Sequence, residues 1–159
     1  TPCGTLFPYT TLFRSWPLAC RELPMGEHRT EMGWPIWPEG LYDNMRRLTR
    51  DYGPLPLYIT ENGVAFPDIP NEDGTVPDPH RIEFLRRHLA QALRARRDGV
   101  DLRGYFHWSL LDNFEWAFGY SKRFGLVYVD YRTQKRLPKH SYDWYRRVIR
   151  GEVDPTAPG

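Results

Sequence analysis

The stretch Leu57-Tyr58-Ile59-Thr60-Glu61-Asn62-Gly63 constrains this chain more than any other. Its first half is apolar, aromatic or β-branched, which predicts a buried strand. It then ends in a carboxylate, an amide and a glycine. A core strand does not place Glu at its tip without reason, because burying an unpaired carboxylate costs several kcal/mol. In a sheet whose strand ends carry the chemistry, that tip is where a catalytic group sits. The competing reading is a solvated Glu opening an Asn-Gly turn. On these residues alone both remain open.

The surrounding pattern is an alternation of helices and strands. Pro38 fits the first position of a helix, and Leu41, Met45, Leu48 and Tyr52 follow on one apolar face. Gly53-Pro54 stops it. After the strand over 57–61 and a Pro-rich loop over 62–77, Asp78-Pro79 supplies an N-cap and first helical residue. Ile82, Leu85, Leu89 and Ala92/Leu93 predict the buried stripe of this second helix, and Gly99 its end. The arginines at 86, 87, 94, 96 and 97 read as its solvated side. Strands are predicted over 100–110 and, after an aromatic loop, over 126–131. A last helix over 141–150 turns Tyr142, Tyr145 and Val148/Ile149 inward, and a polar tail fills 151–159. Helix, strand, helix, strand, helix argues for parallel βαβ units. Two parallel strands leave open edges, so we expect further strands of the same sheet upstream.

Residues 5–15, Thr5 to Ser15, resemble residue for residue the translation of a common short-read sequencing adapter. Residues 1–15 are therefore set aside as an artefact, and 16–150 are expected to be the C-terminal piece of a longer protein. Residues 16–37 are rich in Pro, Trp and Gly and read as an irregular loop. A net charge of +2 is too mild to imply a nucleic acid or an anionic membrane as partner. No apolar run approaches the ~18 residues of a membrane span. Cys3 and Cys20 give neither a disulfide framework nor a metal spacing, and the histidines show no paired ligand spacing. We expect a cytoplasmic protein without a metal or other cofactor.

The second informative stretch runs from Gly104 to Tyr120. It interleaves Trp, Phe and Tyr with Asp112, Asn113 and Glu115 at the end of a strand. Aromatic faces stack on the C–H faces of sugars, while carboxylates and amides take pairs of hydroxyls. An aromatic core cluster would explain Phe106 or Phe114, but would not host Glu115. On the residues alone, Glu61 and Glu115 pair as the two carboxylates of a glycosidase.

Tyr58-Ile59-Thr60-Glu61-Asn62-Gly63, Trp108-Ser109-Leu110-Leu111-Asp112-Asn113-Phe114-Glu115-Trp116 and Arg123-Phe124-Gly125-Leu126-Val127-Tyr128-Val129-Asp130 together closely resemble glycoside hydrolase family 1, the β-glucosidases. Gly33-Trp34-Pro35, Pro38-Glu39-Gly40-Leu41-Tyr42 and Pro138-Lys139 extend the match, which spans about Glu27 to Ile149. The resemblance implies an α/β fold, a (β/α)8 TIM barrel of which this chain carries helix 6 to helix 8. It maps Glu61 to the catalytic nucleophile at the tip of strand 7. Trp108 becomes the platform under the non-reducing sugar, and Glu115 a binder of two of its hydroxyls rather than a second catalytic carboxylate. Trp116 donates its indole N–H to another hydroxyl, and Phe124 flanks the sugar's exocyclic end. The family's acid/base is a Glu in an Asn-Glu-Pro motif on strand 4. No such motif exists here, and Asn71-Glu72-Asp73 falls in the loop after strand 7. The implied partner is a β-glucoside or oligosaccharide, and no cofactor is implied. The Glu115-Trp116 pair favours unphosphorylated sugars, since members acting on 6-phosphorylated ones carry a Ser-containing stretch there.

Overall fold

A computed structural model describes residues 29–157. The adapter-like segment, both cysteines and the loop as far as His28 lie outside the described residues. Three helices and four strands follow in order: α1 (Pro38–Tyr52), β1 (Leu57–Asn62), α2 (Pro79–Arg97), β2 (Leu102–His107), β3 (Val127–Val129), β4 (Arg136–Pro138) and α3 (His140–Ile149). A single 3₁₀ turn, Trp116–Phe118, sits in the long loop after β2.

β1 and β2 pair in parallel, as the alternation predicts. Leu57 lies opposite Leu102, Tyr58 opposite Gly104, Ile59 opposite Tyr105 and Asn62 opposite His107. The register slips between the first two pairs, so Arg103 is passed over and Gly104 faces Tyr58. One face of this two-stranded sheet packs on helices: Leu57, Ile59, Leu102 and Tyr105 meet Met45, Ala92, Ala95, Val100, Leu41 and Tyr42. The other face leaves Tyr58 and Phe106 exposed. Strand alternation thus sends one set of side chains to the helical layer and the other away from it.

α1 departs from its predicted stripe. Met45 is buried and Leu41 half-buried, but Leu48 and Tyr52 are exposed. The face covered by α2 runs instead through Tyr42. The Tyr42 hydroxyl donates to Asp98 at 2.7 Å, and Arg94 lies 4.1 Å above its ring.

α2 is gripped by α1 on one side and α3 on the other. Its buried residues are Arg81, Phe84, Leu85, His88, Leu89, Ala92 and Ala95, a broader face than the predicted stripe; Ile82 and Leu93 are only half-buried. Leu85 is fully enclosed, a burial worth roughly 2 kcal/mol. Asp78 precedes the helix as predicted, yet its carboxylate makes no capping bond and turns to other partners. In α3 the fully buried side chain is Ser141, whereas Tyr142, Tyr145 and Val148 are half-buried and Ile149 is exposed.

The strand predicted over 126–131 is present as β3, but β4 and the antiparallel hairpin that it forms with β3 are absent from the sequence reading. Val127, Tyr128 and Val129 pair antiparallel with Pro138, Leu137 and Arg136. The Asp130 carboxylate forms its turn, accepting from Arg132 N at 2.9 Å and Thr133 Oγ1 at 2.6 Å. Three-residue strands and a turn marked by Asp rather than Asn-Gly leave little periodicity to read.

Candidate active site

The tips of β1 and β2 meet closely. Trp108 N, immediately past β2, donates to Asn62 O at 3.0 Å. The Tyr105 hydroxyl donates to Asn62 Oδ1 at 2.6 Å. A Cβ on Gly63 would stand 1.7 Å from the Trp108 carbonyl oxygen, so only glycine admits this approach. The Asn-Gly ending is therefore a structural device. Asn62 and Gly63 lock the two strand ends together, and Glu61 is exposed at the same tip.

Beyond Trp108 the chain is stitched to the segment that leads into β3. Ser109 N donates to Phe124 O at 3.2 Å, Leu126 N to Ser109 O at 2.9 Å, Val127 N to Leu110 O at 2.9 Å and Asp112 N to Val127 O at 3.0 Å. Gly125 allows this, because a Cβ there would lie 2.2 Å from Asp112 N. The loop then closes on a tight turn in which Glu115 N donates to Gly119 O and Phe118 N to Glu115 O. Trp116 heads that turn at φ +42, a conformation rare for a bulky side chain, and is 68% exposed. Strain of this kind persists where surrounding structure over-determines it, and it clusters at functional sites.

Glu115 is half-buried, and burial pushes its carboxyl above the usual range; the negative charge of Glu61 adds to the rise. The two carboxylates that the sequence singled out therefore share one electrostatic environment. Trp108, at 37% exposure, offers an indole between strand tip and loop. Phe124 is 5% exposed, its ring 6.4 Å from that of Trp34, itself 46% exposed. Trp34, which the sequence offered within an irregular loop and in the family motif Gly33-Trp34-Pro35 but without a role at the site, lies against this aromatic cluster. Its segment is held by Lys122, whose ammonium lies 3.3 Å from Glu31. Among the predicted site residues, Glu61, Trp108 and Glu115 come together at one end of the sheet. Trp116 lies in the loop that follows β2, and the ring of Phe124 packs 6.4 Å from that of Trp34.

Below this surface lies a buried ion network that the sequence reading did not foresee. Arg81 grips Asp68 through two hydrogen bonds of 2.7 and 3.0 Å, and bonds Asp78 at 2.6 Å. Lys139 bridges Asp68 at 2.5 Å and Asp112 at 2.9 Å, while Arg123 meets Asp112 at 2.6 Å. Burial opposes the Arg81 charge, but Asp68 and Asp78 outweigh it and raise its pKa. Burial pushes the Lys139 ammonium down, and the nearby Arg81 adds to that fall. His107 feels the same cations: burial first, then Arg81 and Lys139, push it down to about 4. It is therefore neutral at pH 7, with Nε2 3.3 Å from Phe124 O.

Glu72 sits elsewhere, in an exposed turn closed by Asn71 N to Thr75 O at 2.8 Å. Among the described residues no three His, Cys, Asp or Glu side chains cluster as metal ligands. No helix there is long and apolar enough to cross a membrane.

Comparison with known proteins agrees with this geometry. The sequence model of glycosyl hydrolase family 1 matches residues 21–153. Beta-glucosidase A of Thermotoga maritima is 55% identical over 130 residues, 82% of this chain and 28% of that protein. A 6-phospho-beta-galactosidase of Leptotrichia buccalis is 50% identical over 121 residues, 76% of this chain and 26% of the relative. The structure of a beta-glucosidase from Thermotoga maritima in complex with glucoimidazole superposes with a TM-score of 0.80 at 52% identity. It covers 83% of this chain and 30% of its own. The chain thus spans little more than a quarter of the length of the relatives it matches.

Proposed function

The chain belongs to glycosyl hydrolase family 1, and from that premise we propose that it supplies the nucleophile and the sugar-binding wall of a retaining β-glucosidase. The observation that supports the reading is the contact of Gly63 with the Trp108 carbonyl at the strand tip that carries Glu61, whose charge also reaches Glu115. Glu61 attacks the anomeric carbon, the bond to the aglycone oxygen breaks, and a glycosyl-enzyme ester forms. A second carboxylic acid, supplied by the rest of a family barrel, protonates the departing oxygen and then activates water. Retention needs the two carboxyls about 5–5.5 Å apart. Glu115 is not that acid: it lies on the loop that walls the sugar, where a carboxylate pairs with hydroxyls. Trp108 stacks under the sugar, Trp116 donates its indole N–H to a hydroxyl, and Phe124 backs the exocyclic end, with Trp34 continuing the wall.

The relatives include enzymes named for unphosphorylated and for 6-phosphorylated sugars. The Glu115-Trp116 pair favours the first: an acidic side chain in the sugar wall sets like charge against a phosphate, whereas family members acting on 6-phosphorylated sugars resemble one another in carrying a Ser-containing stretch there.

The test is Glu61→Ala in a full-length enzyme, where this sequence is joined to the rest of the barrel. Turnover should be lost, then restored by azide, which enters the space vacated by the carboxylate and leaves as the α-glycosyl azide. Loss without rescue means that Glu61 is not the nucleophile. A second reading, that the 159-residue chain by itself is a non-catalytic remnant with at most weak sugar affinity, is favoured by one observation. The only Asn-Glu pair, Asn71-Glu72, lies in an exposed turn away from the strand tips.

A further inference from the structure

The ion network beneath the site is the feature that the proposed reaction leaves unexplained. Its three carboxylates and three cations balance in their ionised forms. Asp68, Asp78, Arg81, Asp112 and Lys139 have side chains at most 2% exposed, and Arg123 is 17% exposed. Contacts divide it into two parts. Asp78 serves helix ends: it accepts from Arg81 at 2.6 Å, from Ser141 Oγ at 2.5 Å and from Ser141 N at 2.8 Å, tying the start of α2 to the start of α3. Asp112 serves the site. It accepts from Lys139 at 2.9 Å, from Arg123 at 2.6 Å and from Gly125 N at 2.9 Å, so it straps the loop after β2 to the two neighbours of Phe124. Asp68 and Arg81 join the parts, and Arg81 also donates to Arg123 O at 2.9 Å.

We propose that Asp112, held by Lys139 and Arg123, is a positioning residue that sets where Trp108, Glu115 and Phe124 stand relative to Glu61. The inference rests on the reading of that surface as the sugar wall of a retaining glycosidase. Short backbone bonds alone would let the two segments slide, since each offers further carbonyls and amides. A buried carboxylate with fixed cationic partners has one satisfied arrangement, and any slip leaves a charge unpaired in a dry site. The strap therefore converts burial into register. Supporting shells of this sort hold a reacting constellation within the fraction of an ångström it needs.

The experiment compares Asp112→Asn with Asp78→Asn in a full-length enzyme. Both remove one charge from the same network at the same burial, so both lower thermal stability. Competent sites are counted by the burst of aryloxide released when a 2-deoxy-2-fluoro aryl glucoside traps Glu61, and kcat/KM is expressed per titrated site. Asp112→Asn should lose about 10²-fold per site, the size of effect expected from a sub-ångström to ångström misplacement. Asp78→Asn should stay within about twofold of wild type by the same reasoning, since it touches no part of the wall. Equal per-site kcat/KM in the two variants and wild type would overturn the proposal and leave Asp112 a stability residue. If Asp112→Asn does not fold, Arg123→Lys keeps the charge and shortens the reach; it should lose per-site kcat/KM in the same direction, and wild-type kinetics would overturn the proposal equally. A wild-type enzyme that is neither active on β-glucosides nor trapped by the fluoro sugar is a different outcome. It removes the nucleophile reading itself, and the positioning role with it.

Discussion

The Trp108 carbonyl oxygen occupies the space that a side chain on Gly63 would need, 1.7 Å from the Cβ position. Gly63→Ala must therefore separate the tips of β1 and β2 and break the 3.0 Å bond from Trp108 N to Asn62 O. Overpacking of this kind costs about 1–3 kcal/mol, and the movement falls on Glu61 and Trp108 themselves. In a full-length enzyme we expect a lower urea midpoint together with a loss of kcat beyond what the unfolded fraction explains. A variant with wild-type kcat and stability would mean that the strand tips are not in contact.

Glu115 titrates above its ordinary range first because it is buried and second because Glu61 is charged. Glu61→Gln removes the second cause and leaves the first. The Glu115 pKa should fall in that variant while staying above that of an exposed glutamate. Carbon-13 carboxyl titration by NMR reads it directly. An unchanged or rising value would place the two carboxylates too far apart to share a site.

His107 contributes a pH dependence of known sign. Its folded pKa, pushed down to about 4, lies below the unfolded value of about 6.5. Above pH 6.5 both states are neutral and this stability is fully present. As pH falls, the unfolded chain takes up the proton first, and stability is lost between about pH 6.5 and about 4. The span of about 2.5 units corresponds to at most about 3 kcal/mol. His107→Gln keeps a donor near Phe124 O but does not titrate, so denaturant midpoints should fall less steeply through this window than in wild type. Carboxylates such as Asp101 and Asp130, whose pKa values are lowered by Arg103 and by Thr133, contribute equally to both proteins and cancel. Parallel profiles would show that His107 is not buried neutral.

Much of this architecture was legible because it follows local rules. Pro38 and Pro79 at first helical positions, and the apolar run before Glu61, mark α1, α2 and β1 without reference to anything distant. Glu61 and Glu115 stand out because a carboxylate at a strand end and an acid among aromatics have no use in a core, whereas a role for Trp108 came only from the family resemblance. The ion network was invisible for the opposite reason. Arg81 lies on a helix studded with solvated arginines, and only the folded chain shows that it meets Asp68, thirteen residues earlier, in a dry interior. Lys139 meets Asp68 across seventy-one positions, a separation at which no periodicity carries information. Trp34 stands in the motif Gly33-Trp34-Pro35, but its apposition to Phe124 was hidden, since it depends on where a Pro-rich loop is carried.

The isolated 159-residue chain should not hydrolyse an aryl β-glucoside. It holds a candidate nucleophile in Glu61, but Glu115, the carboxyl whose pKa Glu61 raises, is the one proposed for the wall. Leaving-group protonation is worth about 10²–10⁴-fold, and the sequence carries no Asn-Glu-Pro to supply it. Among the described residues, the two-stranded parallel sheet with Tyr58 and Phe106 exposed also lacks the neighbours that would enclose a sugar and exclude water. The demanding assay uses a dinitrophenyl glucoside, because dinitrophenolate leaves without a proton and only the nucleophile and the wall are then required. We expect no turnover above that of Glu61→Gln even there, while the full-length enzyme turns over both this substrate and alkyl glucosides. Turnover by the purified chain that disappears in Glu61→Gln would show that the nucleophile and its wall assemble without the rest of the barrel.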